Sequence, residues 1–141
     1  MVCGRNRAVG TNALKRARQA GMHWLHALVL ANGAYDVACA ACILWLPRSR
    51  LGRLHLAVFK ERATPAAARV LAYWVMTYGL SRVVAGACAT RTTDAAAALS
   101  YLAEGAAYFA EAHVFASADA GKAGFVWVSS LLMCAALCAR G

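Results

Sequence analysis

Four apolar stretches, at about 23–46, 68–90, 94–116 and 121–139, alternate with short polar segments along the chain. A bilayer core about 30 Å thick needs roughly 20 apolar residues at about 1.5 Å each, and all four stretches reach that length or nearly so. The pattern predicts an all-α integral membrane four-helix bundle, 23–141, preceded by a basic N-terminal arm, 1–22. Local signals mark the ends. Pro47 stops the first helix after Leu46, because it has no N–H and its ring clashes with the preceding turn. Thr64-Pro65 supplies an N-cap and a first-turn proline for the second helix. Thr93 or Asp94 suits the cap of the third, and Asp119 that of the fourth. Only a few residues around Arg91-Thr92-Thr93 join the second and third helices, so those two are expected to be antiparallel neighbours.

Two further segments have helical character. Residues 12–22 read as a basic lead-in capped by Thr11 or Asn12. From Arg50 to Arg62, Leu51, Leu54, Val58 and Phe59 share one face while the charges lie largely elsewhere, which predicts either an interfacial helix or an ordered basic loop.

Composition narrows the class. The chain is 62% hydrophobic and 15% charged, whereas soluble domains carry about 25% charged residues. A water-soluble bundle is therefore not expected. The net charge of +9 comes mainly from the arm and from the first loop, where Arg48, Arg50, Arg53, Lys60 and Arg62 cluster. Beside membrane helices such a cluster points to anionic lipid headgroups rather than nucleic acid. The two patches fall on opposite sides of a four-span chain, so the positive-inside rule selects neither orientation. The arm is Arg-rich but lacks Ser, and 23–46 is longer than a signal-peptide core, so the first helix is expected to be retained. Five cysteines, Cys39, Cys42, Cys88, Cys134 and Cys138, lie inside the spans, where packing is their expected role.

The candidate chemistry is a polar seam. Arg82 sits within a long apolar run, and a charge at that depth costs at least about 2.5 kcal/mol. Trp74, Tyr78 and Arg82 follow a four-residue spacing, Tyr101, Glu104, Tyr108 and Glu111 form a matching stripe, and Asn32 and Asp36 make an i, i+4 pair. Pairing by depth assigns Glu104 to Arg82 and leaves Glu111 to find another partner. Such a seam either fixes helix register or touches a ligand.

No cofactor or metal site is expected. His23, His26, His55 and His113 have no ligand spacing, and Glu111 and His113 point about 200° apart on a helix. The first expectation is a small membrane adaptor, with membrane lipids and other membrane proteins as partners and self-association compatible with it. The second is a membrane-embedded isomerase in which Glu104 or Glu111 acts as general acid, since a desolvated carboxyl suits that work. The third is a proton- or ion-coupled carrier, which would need an oligomer because four helices enclose little space.

The run Ala68-Arg69-Val-Leu-Ala-Tyr-Trp74 followed by Arg82, the run Tyr108-Phe109-Ala110-Glu111 leading into Val114-Phe115, and Asn32 in the first span together resemble the ergosterol biosynthetic protein 28 family. The likeness extends in order and spacing over about 25–138. It implies a non-enzymatic scaffold in the endoplasmic reticulum membrane that tethers enzymes of sterol C-4 demethylation. By that resemblance Arg69, Trp74, Arg82 and Glu111 hold the bundle or dock partners.

Overall fold

A computed structural model describes residues 5–46 and 49–140, with side chains from Trp24 onward. The elements are α1 (Arg5–Trp45), α2 (Arg50–Leu56), α3 (Pro65–Cys88), α4 (Arg91–His113) and α5 (Ala120–Cys138). His26, Asp94 and Arg140 meet at one end of the bundle, whereas Phe59, Tyr108 and Ala118 meet at the other. Helices α1 and α4 therefore run one way, and α3 and α5 the other.

Helix α1 departs from the expectation of an arm, a lead-in and a separate span. It is one helix of 41 residues, about 60 Å long at 1.5 Å per residue. Thr11 and Asn12 lie inside it rather than at its start. No proline interrupts the basic stretch, and Gly10 and Gly21 cost about 1 kcal/mol each, which is too little to break a long helix. Pro47 and Arg48, assigned to the first helix stop and to the headgroup patch, lie outside the described residues.

Helix α2 covers seven residues, much less than the segment 50–62 read as amphipathic. Ser49 caps it through Gly52 N at 3.1 Å. Gly52 is buried against Ile43 and the backbone of Cys42, which folds α2 back on the end of α1. The chain beyond is then captured by the α4–α5 connection: Lys60 N donates to Ser117 O at 2.8 Å and Asp119 N to Val58 O at 2.8 Å. Those two long-range bonds compete with continued helix and end it.

The other caps are local. Thr64 accepts from Ala67 N at 3.2 Å with Pro65 opening α3, and Asp119 accepts from Lys122 N at 3.0 Å to open α5. For α4 the cap is Thr90, not Thr93 or Asp94. Thr90 and Thr93 exchange hydrogen bonds between side chain and backbone in a capping box, which frees Asp94 for another partner. Between α3 and α4, Ala89 adopts a left-handed conformation at φ 52°, which costs a residue with a Cβ about 1–2 kcal/mol. Ala89→Gly is expected to raise stability by up to about 1 kcal/mol, read as a higher unfolding midpoint in detergent.

Packing is pairwise. Helix α1 lies against α3, and α4 against α5, while α3 and α4 touch less despite their short connection. The α1–α3 contact is backbone on backbone. A Cβ on Gly33 would lie 2.7 Å from Gly79 O, and one on Gly86 2.6 Å from Leu30 Cβ. Small residues of this kind let the two helix backbones approach closely.

The outer surface carries Trp24, Trp45, Val70, Tyr73, Leu80, Val84, Leu99, Phe109, Phe125 and Leu132, all exposed. Among the described residues two helical segments, Trp24–Trp45 and Ala120–Cys138, are long and apolar enough to cross a membrane. Helices α3 and α4 have the length but not the apolarity, because the charged and hydroxyl side chains of the seam fall within them.

Candidate functional site

Three i, i+4 pairs converge on one point. Asn32 and Asp36 on α1, Tyr78 and Arg82 on α3, and Ser100 and Glu104 on α4 each occupy a single helix face. Arg82 is 0% exposed, and its guanidinium meets a partner in every direction. Nη1 donates to Asp36 Oδ2 at 2.7 Å and to Asn32 Oδ1 at 3.3 Å. Nη2 donates to Glu104 Oε2 at 2.8 Å, and Nε to Ser100 Oγ at 3.0 Å. Its central carbon lies 3.7 Å from the Tyr101 ring centroid and 4.5 Å from that of Tyr78. The planar fork of arginine suits this arrangement, where a lysine would offer a single point of charge.

A second ring of contacts locks the first. Tyr101 Oη donates to Asn32 Oδ1 at 2.8 Å, and Ser130 Oγ donates to Glu104 Oε2 at 2.8 Å. Ser130 brings in α5, so the network ties all four long helices. Removing two carboxylates and a guanidinium from water costs several kcal/mol per ion, and only such full hydrogen bonding offsets that.

Of the residues singled out in the sequence, Asn32, Asp36, Tyr78, Arg82, Tyr101 and Glu104 are brought together. Tyr108 is buried one turn further along α4 and stacks on Phe59 at 6.2 Å. Trp74 stays outside the cluster: eight residues at about 100° each leave it about 80° away from Arg82, and it is 52% exposed, meeting the Tyr78 ring edge-on. Glu111 shares the face of Glu104 but lies about 10 Å further along the axis, where it accepts from the Ser117 hydroxyl in the α4–α5 connection. Arg50, Arg53, Lys60 and Arg62 are exposed at that same end.

Several residues carry weight without having been anticipated. Ser100 is detectable as the i−4 neighbour of Glu104; Ser130 has no local signal. At the opposite end His26 Nε2 lies 3.1 Å from Asp94 Oδ1, and Arg140 Nη1 lies 3.1 Å from Asp94 Oδ2 and also reaches the His26 ring. This group ties the start of α4 to α1 and to the chain just after α5. Asp94, a cap candidate in the sequence, serves here as an ion-pair partner, and Arg140, which it shares with His26, is distant in sequence from both. Among the described residues no three or more His, Cys, Asp or Glu side chains gather as a metal site.

Because α1 and α5 make little direct contact, a cleft of about 650 Å³ opens between them beside the ion cluster. Leu28, Leu54, Phe125 and Met133 supply apolar wall, and Asp36, Glu104, Tyr108 and His55 supply polar surface. His55 arrives from α2, and its Nε2 is buried without a hydrogen-bond partner among the described residues. Burial pushes the imidazole pKa below its ordinary 6.5, because the charged form loses hydration. The folded state therefore favours neutral His55. Its contribution to stability is full above the ordinary imidazole pKa and is lost as pH falls through the depressed one. The unfolding midpoint is expected to drop on acidification below about pH 6.5, and His55→Phe to flatten that part of the profile.

Comparison of the chain with protein-family models, curated proteins and solved structures returned no match.

Proposed function

We propose that the chain is an integral membrane protein of four spanning helices, α1 and α3–α5, that acts as a non-enzymatic adaptor for other membrane proteins. The observation that carries this reading is the engagement of every nitrogen of the buried Arg82. All three of its nitrogens donate to groups from α1 and α4, so the buried charge serves to hold helices in register. Internal neutralisation also lowers the insertion penalty of α3 and α4, which explains how helices with polar seams can span. Outside the seam, Val70, Tyr73, Leu80 and Val84 form an exposed apolar stripe on α3, with Arg69 and Trp74 exposed beside it. A stripe of that kind faces lipid or a partner helix. Arg50, Arg53, Lys60 and Arg62 lie at the end where anionic headgroups would meet them. The resemblance to the ergosterol biosynthetic protein 28 family extends the proposal to enzymes of sterol C-4 demethylation in the endoplasmic reticulum.

The test is alkaline extraction of native membranes, then mild-detergent copurification with the tagged full chain. Retention in the membrane and stoichiometric recovery of membrane enzymes, lost in a Tyr73→Ala/Trp74→Ala variant, is the expected result. Release by alkali overturns the membrane placement; retention with no partner overturns the adaptor role. One observation favours a second reading, that of a small membrane isomerase: Glu104 and Tyr108 both border the cleft. Turnover of a lipid substrate by the purified chain, lost in a folded Glu104→Gln variant, would select it.

A further inference from the structure

The cleft between α1 and α5 has features that register-fixing does not require. An adaptor that used its polar groups only to pair helices would close over them. Here α1 and α5 stand apart, and Asp36 and Glu104, though only 2% and 7% exposed, form part of the wall of the space between them. Its volume of about 650 Å³ falls within the roughly 300–1,000 Å³ of small-molecule sites. A helix about 10–12 Å wide with a 5.4 Å pitch fills about 400–600 Å³ per turn. The cleft therefore holds little more than one turn of a partner helix, but the whole of a small ligand.

Charge selects the class of head. Asp36 and Glu104 share one guanidinium, so the ion cluster turns carboxyl oxygens toward the cleft with no second cation paired to them among the described residues. Lys122 at the rim is exposed and donates to Ala57 O at 3.0 Å. A carboxylate or phosphate head entering beside Asp36 and Glu104 meets repulsion. An ammonium donates hydrogen bonds but accepts none, so it serves only one tautomer of His55. A hydroxyl both donates and accepts. It can donate to a carboxylate oxygen and can satisfy His55 Nε2 in either tautomer, removing a buried unpartnered nitrogen.

We infer that this cleft binds one neutral amphipathic lipid, with its hydroxyl head among Asp36, Glu104 and His55 and its apolar body against Leu28, Phe125, Val126 and Met133. This inference rests on the membrane placement proposed above and is independent of the adaptor role.

The probe is a photoactivatable long-chain alcohol, a diazirine-bearing hexadecanol, applied to the full chain purified in detergent and in nanodiscs. Labelling is expected to map to the α5 face carrying Phe125, Val126 and Met133. Excess unlabelled hexadecanol should reduce it at least about fivefold, while hexadecanoic acid and hexadecylamine compete poorly. Ser129→Phe, which fills the cleft without touching the ion cluster, should abolish the competed fraction while unfolding stays cooperative. His55→Phe should weaken it severalfold. Labelling spread over the outer faces, or unchanged in Ser129→Phe, overturns the cleft as a site. Equal competition by the acid or the amine overturns the hydroxyl class. Alkaline extraction of the same preparation tests the membrane placement separately, so a failure of either idea is recognisable.

Discussion

Arg82→Met is expected to destabilise the bundle by about 3–5 kcal/mol, the usual cost of leaving buried charges without their partner. The guanidinium is the only positive group in contact with Asp36 and Glu104 among the described residues. Its loss sets two carboxylates facing the same space. The measurement is the unfolding midpoint in detergent, together with the fraction of protein that elutes as a single species. The effect should be strongly non-additive. Arg82→Met combined with Asp36→Leu and Glu104→Met removes every charge at once and should recover most of the loss, because well-packed apolar residues replace a buried ion cluster at little net cost. If the triple variant is as unstable as Arg82→Met, the damage comes from lost packing around Tyr78 and Tyr101, and the electrostatic account fails.

Gly33→Val is the second large effect. The first atom of any side chain at position 33 would sit 2.7 Å from both Gly79 O and Val83 N. Those are backbone atoms in the middle of α3, so no rotamer change relieves the clash and the helices must separate. Overpacking of this kind costs about 1–3 kcal/mol or more. Separation would also lengthen the bond from Arg82 to Asp36, one turn beyond Gly33 on α1. Gly33→Val is therefore expected to lower the unfolding midpoint and to abolish the difference between wild type and Asp36→Asn. Gly105→Ala is the control, since its nearest neighbour, Trp127 O at 3.4 Å, leaves ordinary van der Waals room. It should change stability by under about 0.5 kcal/mol.

Much of this was legible from neighbours along the chain. Thr64-Pro65 and Asp119 mark helix starts because a cap is a contact between residues three apart. Asn32 with Asp36, and Tyr78 with Arg82, share faces because helical geometry alone puts them there. The same reasoning misplaced Trp74, since a four-residue spacing repeated twice drifts about 80° around the axis. It also placed the cap of α4 at Thr93 or Asp94 rather than Thr90, because the choice depended on leaving Asp94 free to meet His26 and Arg140. The length of α2 was hidden for a similar reason: the hydrogen bonds that end it come from residues 117–119.

The sequence by itself determined that this chain forms long apolar helices with a charge-bearing seam, because hydrophobic periodicity, caps and breakers act over a few residues. Which helices pack tightly was decided only in three dimensions, where Gly33 and Gly86 bring α1 onto α3 while, among the described residues, no glycine does the same between α1 and α5. Tertiary packing also made Asp36 a full partner of Arg82, added Ser130 from α5, and left the cleft beside them. Ion clusters and cavities depend on distances between residues tens of positions apart, and those distances follow from backbone approach rather than from local pattern.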